Sequence, residues 1–286
     1  MNEAELDIVR RAYAKQVAAI AGAAHDARIE EALANVRRED FLGPGPWKMF
    51  RLPDGYLETP DADPVHLYQD ALFGIVPEKG LNNGQPSFLT MLIAIGRPAA
   101  GEHAVHVGAG VGYYTAVISR LVGASGRVTA IEHEPDLAAR AKTNLARFPN
   151  TTVVQGDGSA MALEAADVIY VNAGASRPAE AWLDGLKEGG RLVLPLTASF
   201  RMPNGVMMTA GAIFLIERRG SEYLAEWKAP TGIYPCAGAR DDVSNAALVA
   251  AFQKGGERNV KRLCRSDGVA EDRCWVRMPS WSLTYE

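Results

Sequence analysis

The stretch VHVGAGVGYYT, Val105 to Thr115, places three glycines within five residues directly behind an apolar run. Because glycine has no Cβ, the chain can turn left-handed there, and a ligand or another segment can approach the backbone closely. In an open α/β sheet, ligands bind at the carboxyl ends of the strands, beside the first strand. The glycines of this turn, Gly108, Gly110 and Gly112, are therefore the first candidate ligand contacts.

Segments of two kinds alternate around this turn. The strand-like segments are AVHVG, RVTAIE, TTVVQ, DVIYVNAG and RLVLPLT, and the helix-like segments are SFLTMLIAIG, YYTAVISRLVG, PDLAARAKTNLARF and PAEAWLDGLKEGG. Strands that alternate with helices indicate a parallel sheet with right-handed crossovers. The sequence thus predicts a doubly wound α/β core, followed by a two-stranded antiparallel hairpin in AGAIFLIERRGSEYLAEWK.

The segments outside this core differ in texture. Residues 1–40 predict helices, whereas residues 43–86 hold seven prolines and predict an irregular connector. We predict an N-terminal helical cap with a substrate-side connector over residues 1–75, a core over 76–235 and a C-terminal extension over 236–286. In the extension only DVSNAALVAAFQK predicts a helix, and the polar ending has no predicted structure.

Composition narrows the classes of function. Apolar residues make up 48% of 286 residues, and the net charge is −4 with no run of more than two basic residues. Neither a nucleic-acid partner nor a membrane surface is expected. Three cysteines without a CxxC pattern, and five histidines without ligand spacing, favour a reducing compartment and no metal. We therefore expect a soluble, cytoplasmic protein. The sequence leaves its oligomeric state open.

The ligand of the glycine turn follows from its spacing. The dinucleotide pattern G-x-G-x-x-G needs glycine at position 113, where this chain has Tyr113. A diphosphate, and with it a nicotinamide oxidoreductase, is disfavoured but stays open. A smaller nucleoside ligand such as S-adenosylmethionine fits, as does the alternative that the glycines only allow packing.

Two acidic residues support a nucleoside. Glu132 ends the second strand, where a carboxylate can accept both ribose hydroxyls, although it can also be a solvated acid of the EHEPD turn. Asp157, in QGDGSA after the third strand, can accept the adenine amino group, although aspartate is common in such turns.

Five segments, taken in their order along the chain, resemble the class I S-adenosylmethionine-dependent methyltransferases. They are HVGAGVGYYTAVISRLVG, VTAIEHEPDLAARAKTNL, VVQGDG, DVIYVNAGA and LKEGGRLVLPLT. With DARIEEALANVRREDFL and GQP placed before them, they resemble the protein-L-isoaspartate O-methyltransferase family over about residues 25–235. The resemblance implies a Rossmann-like, mostly parallel sheet of seven strands. It also implies S-adenosylmethionine as cofactor and a cofactor site comprising His106, Gly108, Ala109, Gly110, Gly112, Tyr113, Glu132, His133, Gly156, Asp157, Gly158 and Asn172.

The chain departs from that family at two positions. The family's substrate loop reads T-I-S-Q-P, whereas this chain has NNGQP, so Gly84 replaces the hydroxyl-bearing residue. His106 stands where the family's first strand has an acidic residue, which alters the surroundings of the cofactor's ammonium group. Restoring the hydroxyl with Gly84→Ser is expected to raise isoaspartyl activity unless residue 84 has a positive φ.

The acceptor is predicted from the same loop. A carboxylate is ionised at pH 7 and needs no general base, which fits a sequence without an obvious catalytic pair. We predict methylation of a carboxylate on a protein or peptide. The alternatives are a small-molecule O- or N-methyltransferase and a homologue that binds the cofactor without turnover. The candidate substrate contacts are Asn82, Asn83, Gly84, Gln85 and Asn172.

Overall fold

The computed structural model describes residues 1–202, 205, 207–266 and 268–286. Its helices are α1 Glu3–Ile20, α2 Ala27–Asn35, α3 Glu39–Leu42, α4 Pro86–Gly96, α5 Tyr113–Val122, α6 Pro135–Asn144, α7 Glu180–Asp184 and α8 Asp242–Lys254. Its strands are β1 Lys48–Arg51, β2 Gly55–Glu58, β3 Gly74–Val76, β4 Leu81–Asn82, β5 His103–Val107, β6 Arg127–Glu132, β7 Thr151–Gln155, β8 Ala166–Val171, β9 Leu186–Arg201, β10 Met207–Arg219, β11 Glu222–Thr231, β12 Arg262–Cys264, β13 Cys274–Arg277 and β14 Ser282–Thr284.

The chain forms two compact units. The N-terminal unit comprises Met1–Glu102 and Ala109–Gln155, and the C-terminal unit comprises His103–Gly108 and Gly156–Glu286. This division cuts the chain differently from the three segments expected from sequence texture, which remain a proposal about function.

The first two helices of the N-terminal unit begin at side chains that accept their free N–H groups, Asn2 for α1 and Asp26 for α2. Asn2 accepts from the Glu5 N–H and Glu5 accepts from the Asn2 N–H, which forms a capping box on α1. Helix α6 begins at Pro135, as the sequence predicts, because proline is preorganised for the first helical position. The proline-rich connector forms two small antiparallel sheets, β1–β2 and β3–β4, and two short 3-10 helices, Pro64–Leu67 and Pro77–Lys79.

In the C-terminal unit eight strands follow the order β13-β14-β12-β11-β10-β9-β8-β5, and in the N-terminal unit β6 pairs with β7. The expectation of seven strands is therefore wrong in number. Parallel pairs include β5–β8, β8–β9 and β6–β7, and β10 is antiparallel to both of its neighbours, β9 and β11. The three additional strands are β12, β13 and β14, which come from the polar ending of the sequence. The result is a mixed α/β sheet in which every residue of β5 is buried.

One predicted helix is mostly strand. PAEAWLDGLKEGG forms only the short helix α7, and its end, LKEGG, opens β9. Leu186 pairs with Ala166 of β8, so sheet hydrogen bonds override the helix propensity of lysine and glutamate. Within the described ranges, none of the helices combines the length and apolar character that a membrane crossing requires.

Candidate functional site

The glycine turn of the N-terminal unit adopts the conformation that only glycine takes easily. Gly110 and Gly112 have φ values of 57° and 91°. A Cβ on Gly112 would lie 2.9 Å from a Leu145 methyl group, so packing alone accounts for this glycine. A Cβ on Gly110 would meet only Ile75, at 3.8 Å, so the backbone at residue 110 has room beside it.

Glu132 is tied to this glycine turn. Its Oε2 accepts the Gly110 N–H at 2.7 Å, and its Oε1 accepts the Glu134 N–H at 2.9 Å. Burial raises the pKa of Glu132, while hydrogen bonds from the backbone N–H groups of Glu134, Gly110 and His133 oppose the rise. A carboxylate accepts up to about four hydrogen bonds, so acceptor capacity remains for a ligand. Because the side chain is only 6% exposed, Glu132 is not a solvated turn acid.

In the C-terminal unit, Asn172 lies against the first glycine. The Asn172 N–H donates to Val107 O at 2.8 Å, and its Nδ2 donates to Gly108 O at 3.3 Å. A Cβ on Gly108, where φ is 79°, would lie 3.3 Å from Asn172 O. The predicted pair Gly108 and Asn172 is thus brought together by the ends of β5 and β8.

Asp157 presents one unused oxygen. Its Oδ1 accepts both the Ser159 N–H at 2.9 Å and the Ser159 hydroxyl at 2.7 Å. Among the described residues, no hydrogen-bond donor reaches Oδ2. The turn that carries Asp157 is fixed by Trp182, whose Nε1 donates to Gly158 O at 2.7 Å. The carboxylate is therefore held in position with an acceptor available, and Gly156 and Gly158 flank it.

Sequence reasoning missed Gly238, which lies against this carboxylate. A Cβ there would fall 2.1 Å from Asp157 Oδ2 and 2.3 Å from Ser159 Oγ. Only glycine fits this approach, because any side chain would displace the carboxylate. No spacing in the sequence signals it, since the two residues lie far apart along the chain.

The segment that carries Gly238 is fixed to the residues after β8. Gly174 N–H donates to Tyr234 O at 2.7 Å, and Cys236 N–H donates to Gly174 O at 2.9 Å. Arg240 Nη1 also donates to Gly174 O, at 2.7 Å. Part of the C-terminal extension thus borders the end of β8.

The substrate-loop amides of the N-terminal unit are largely engaged within the protein. Asn82 accepts from the Tyr56 hydroxyl and donates through Nδ2 to Gly80 O at 3.0 Å. Asn83 is 6% exposed, and its buried Nδ2 has no partner among the described residues. Asn82 is therefore a support for the loop, and Asn83 retains a free donor.

Gly84 and Gln85 are fixed by neighbours that the sequence did not reveal. Gly84 has φ 75°, and a Cβ would lie 2.9 Å from Leu89. Gln85 Nε2 donates to Asp70 at 3.0 Å, and Asp70 also accepts the N–H of Ser87 at 2.7 Å. The side chain of Gln85, the residue before α4, does not cap this helix. Asp70, which lies elsewhere in the chain, accepts an N–H of the first turn instead.

Three further predicted contacts differ in exposure. The Tyr113 side chain is fully buried edge-on against Phe41, so only its backbone is available to a ligand. His106 is also buried, and burial lowers its pKa to about 4, which makes it neutral at pH 7. The His133 side chain is exposed. The side chains of these three residues are therefore weaker candidates for ligand contacts than the carboxylates of Glu132 and Asp157.

Comparison with known families gives a match over most of the chain. A family model described as protein-L-isoaspartate(D-aspartate) O-methyltransferase matches residues 16–210. A protein-L-isoaspartate O-methyltransferase of Ignicoccus hospitalis is 40% identical over 39% of this chain and 54% of its own length. A second relative, protein-L-isoaspartate O-methyltransferase 2 of Archaeoglobus fulgidus, is 30% identical over 60% of this chain and 80% of its own length. The chain spans about half the length of most of the curated relatives that it matches.

Solved structures share the fold. A protein-L-isoaspartate O-methyltransferase superimposes with a TM-score of 0.60 and 22% identity, covering 84% of this chain and 69% of the other. A Plasmodium falciparum structure titled as that enzyme, in complex with S-adenosyl-L-homocysteine, gives 0.59 and 17%, covering 79% and 97%. At these identities the likeness establishes the α/β methyltransferase fold.

Proposed function

The chain belongs to the protein-L-isoaspartate(D-aspartate) O-methyltransferase family, and from that premise we propose that it methylates a carboxylate on a protein or peptide. S-adenosylmethionine, when bound, supplies an electrophilic methyl group carried on a sulfonium. The residues of this chain bind and orient the two partners and exclude water.

The observation that carries the proposal is the arrangement of Glu132. Three backbone N–H groups, those of Gly110, His133 and Glu134, fix its buried carboxylate, which leaves acceptor capacity for a hydroxyl of the ribose. Asp157 adds an unused oxygen that suits the adenine amino group. Both groups are acceptors, and the ribose and adenine edges of the cofactor supply donors. The residues present therefore fit S-adenosylmethionine.

The remaining predicted contacts have graded roles in this proposal. Gly108 and Gly110 would let the cofactor approach the backbone, as would Ala109, Gly156 and Gly158. Gly112 and Tyr113 would shape the turn from behind. His106, neutral at pH 7, would lie by the cofactor without adding a charge, and His133 would contribute an exposed edge. Asn172 would orient cofactor or acceptor from the end of β8.

A carboxylate acceptor suits the substrate loop. Residues 82–85 offer amides and a glycine, and none of them titrates near neutral pH. An ionised carboxylate needs only orientation and a donor, and Asn83 Nδ2 is a buried donor without a partner in the described chain. Asp70 accepts a hydrogen bond from Gln85 Nε2, so the amide oxygen of Gln85 is the atom left for an N–H of the methyl acceptor.

A small-molecule acceptor is the second candidate, favoured by Gly84. The loop turns through a positive φ and packs on Leu89, so it cannot carry the family's serine without strain. A changed loop favours an acceptor other than an isoaspartyl peptide.

The test combines cofactor binding with methyl transfer. The chain is incubated with methyl-labelled S-adenosylmethionine and an isoaspartyl peptide, with the aspartyl peptide of the same sequence as control. We expect base-labile label, the signature of a methyl ester, on the isoaspartyl peptide only, and at a low rate because Gly84 replaces the hydroxyl-bearing residue of the loop. Cofactor binding without peptide labelling would favour the small-molecule candidate, and absence of cofactor binding would refute both.

A further inference from the structure

A short stretch of the C-terminal unit, residues 234–240, lies beyond residue 210, where the match to the family model ends. We call it the return segment, because its main chain pairs with the residues that follow β8. It carries Gly238, the glycine that lies against the Asp157 carboxylate. The place of Gly238 beside this carboxylate therefore depends on what holds the return segment.

Arg240 ends the return segment and joins it to other parts of the same unit. Its Nη1 donates to Gly174 O at 2.7 Å and to Thr197 Oγ1 at 2.8 Å. Its Nη2 donates to Ser199 Oγ at 2.9 Å and to Asn245 Oδ1 at 3.1 Å. One side chain thus connects the return segment to the residues after β8, to β9 and to α8.

The hydrogen-bond partners of Arg240 are all neutral. They are carbonyl, hydroxyl and amide oxygens, whereas the adjacent carboxylate, Asp241, pairs with Arg177 at 3.4 Å. Burial lowers the pKa of Arg240. A guanidinium presents its N–H groups in a rigid, planar fork, which an ammonium cannot reproduce. The shape of the Arg240 side chain, more than its charge, therefore suits it to holding these segments together.

We propose that Arg240 is a positioning residue for the adenine contact and acts through Gly238 on Asp157. A Cβ at position 238 would overlap Asp157 Oδ2, so the main chain there bounds the space in which the carboxylate can turn. While Arg240 holds the return segment, Oδ2 keeps one orientation. This inference rests on the proposed function, because it takes Asp157 as the acceptor of the adenine amino group.

The consequence is selectivity between bases. A carboxylate oxygen that is held in place attracts the amino group of adenine and repels the C6 oxygen of hypoxanthine, the base of inosine. A carboxylate that can turn away loses both the attraction and the repulsion. Arg240 therefore sets the ratio of the affinities for the two bases, although it touches neither.

Titration calorimetry with S-adenosylhomocysteine and S-inosylhomocysteine measures this ratio. We expect the wild type to prefer the adenine ligand and Arg240→Met to lower the preference by about tenfold, with Arg240→Lys in between. A loss of fold would weaken both ligands alike and would not change the ratio. Arg218→Met is the matched control, because Arg218 is also partly buried and donates to a main-chain carbonyl, Leu186 O, at 2.7 Å. It should keep the wild-type ratio.

Two further variants test the route through Gly238 and Asp157. Gly238→Ala should lower the ratio while Arg240 stays in place, because the new Cβ displaces the carboxylate. In an Asp157→Ala background, Arg240→Met should change the ratio no further, since the group on which it acts is absent.

The outcomes separate this inference from the proposed function. If the wild type binds neither ligand, the proposed function is refuted. If it binds both equally, or prefers adenine while folded Arg240→Met keeps the same ratio, only the role of Arg240 is overturned. Should Arg240→Met not fold, an unchanged ratio in Gly238→Ala overturns that role instead.

Discussion

Asp157→Asn tests the adenine contact with little disturbance of the fold. The new amide can keep its oxygen on the Ser159 N–H and hydroxyl, 2.9 and 2.7 Å away in the wild type. Its Nδ2 then replaces the unused Oδ2 in the same space beside Gly238. The adenine amino group would thus meet a donor where it had a charged acceptor.

The expected magnitude follows from that exchange. A hydrogen bond to a charged group contributes about 1.5 to 3 kcal/mol, so affinity for S-adenosylhomocysteine should fall by about 10- to 150-fold. Titration calorimetry measures it, and Ser159→Ala, which removes one support of Oδ1 but no ligand contact, serves as control. The inosine analogue, whose exocyclic C6 oxygen accepts in place of the amino group, should lose much less affinity in the variant. Equal affinity of wild type and Asp157→Asn for the adenine ligand would refute the contact.

Three further predictions address other parts of the site. Glu132→Ala should weaken cofactor binding by about 1 to 3 kcal/mol in calorimetry while the fold persists; unchanged binding would contradict the ribose contact. Gly84→Ser should lower the stability of the protein by about 1 to 3 kcal/mol and not raise peptide methylation, because φ is 75° and Leu89 is close; initial rates and urea unfolding measure both. Burial lowers the pKa of His106 from 6.5 to about 4, so between these pH values only the unfolded chain takes up the proton. The contribution of His106 to the free energy of unfolding should therefore fall by about 3 kcal/mol as pH drops from 6.5 to 4, and this contribution should level off below pH 4. Urea unfolding of His106→Gln should show a smaller loss over that range, and an equal loss would contradict the assignment.

The sequence predicted the parts of the fold in which short-range pattern decides the structure. Helix α5 begins at Tyr113 behind the glycines and α6 begins at Pro135, because proline and glycine mark boundaries locally. The prediction of a helix over LKEGG was wrong because Leu186 pairs with Ala166 of β8, and pairing within a sheet overrides helix propensity. Strands β12 to β14 went unpredicted because each has only three or four residues, and because β12 pairs with β11, which lies far from it along the chain.

The candidate site divides in the same way. Glu132 and Asp157 were predictable because each directly follows a strand whose end carries ligand contacts. Asp70, Gly238 and Arg240 were not, because their importance comes from neighbours that only folding brings close. Asn82 matched a motif position, but its amide is occupied by Tyr56 and Gly80, which no spacing reveals.

Titration of the wild-type protein with S-adenosylmethionine and S-adenosylhomocysteine tests the central claim most directly. NADH serves as the control ligand, because the glycine turn lacks the third glycine of the dinucleotide pattern. We predict one site of micromolar affinity for each sulfur nucleoside, mutual competition between them and no heat with NADH. Absence of heat with both sulfur nucleosides, or binding of NADH in their place, would contradict the proposed function.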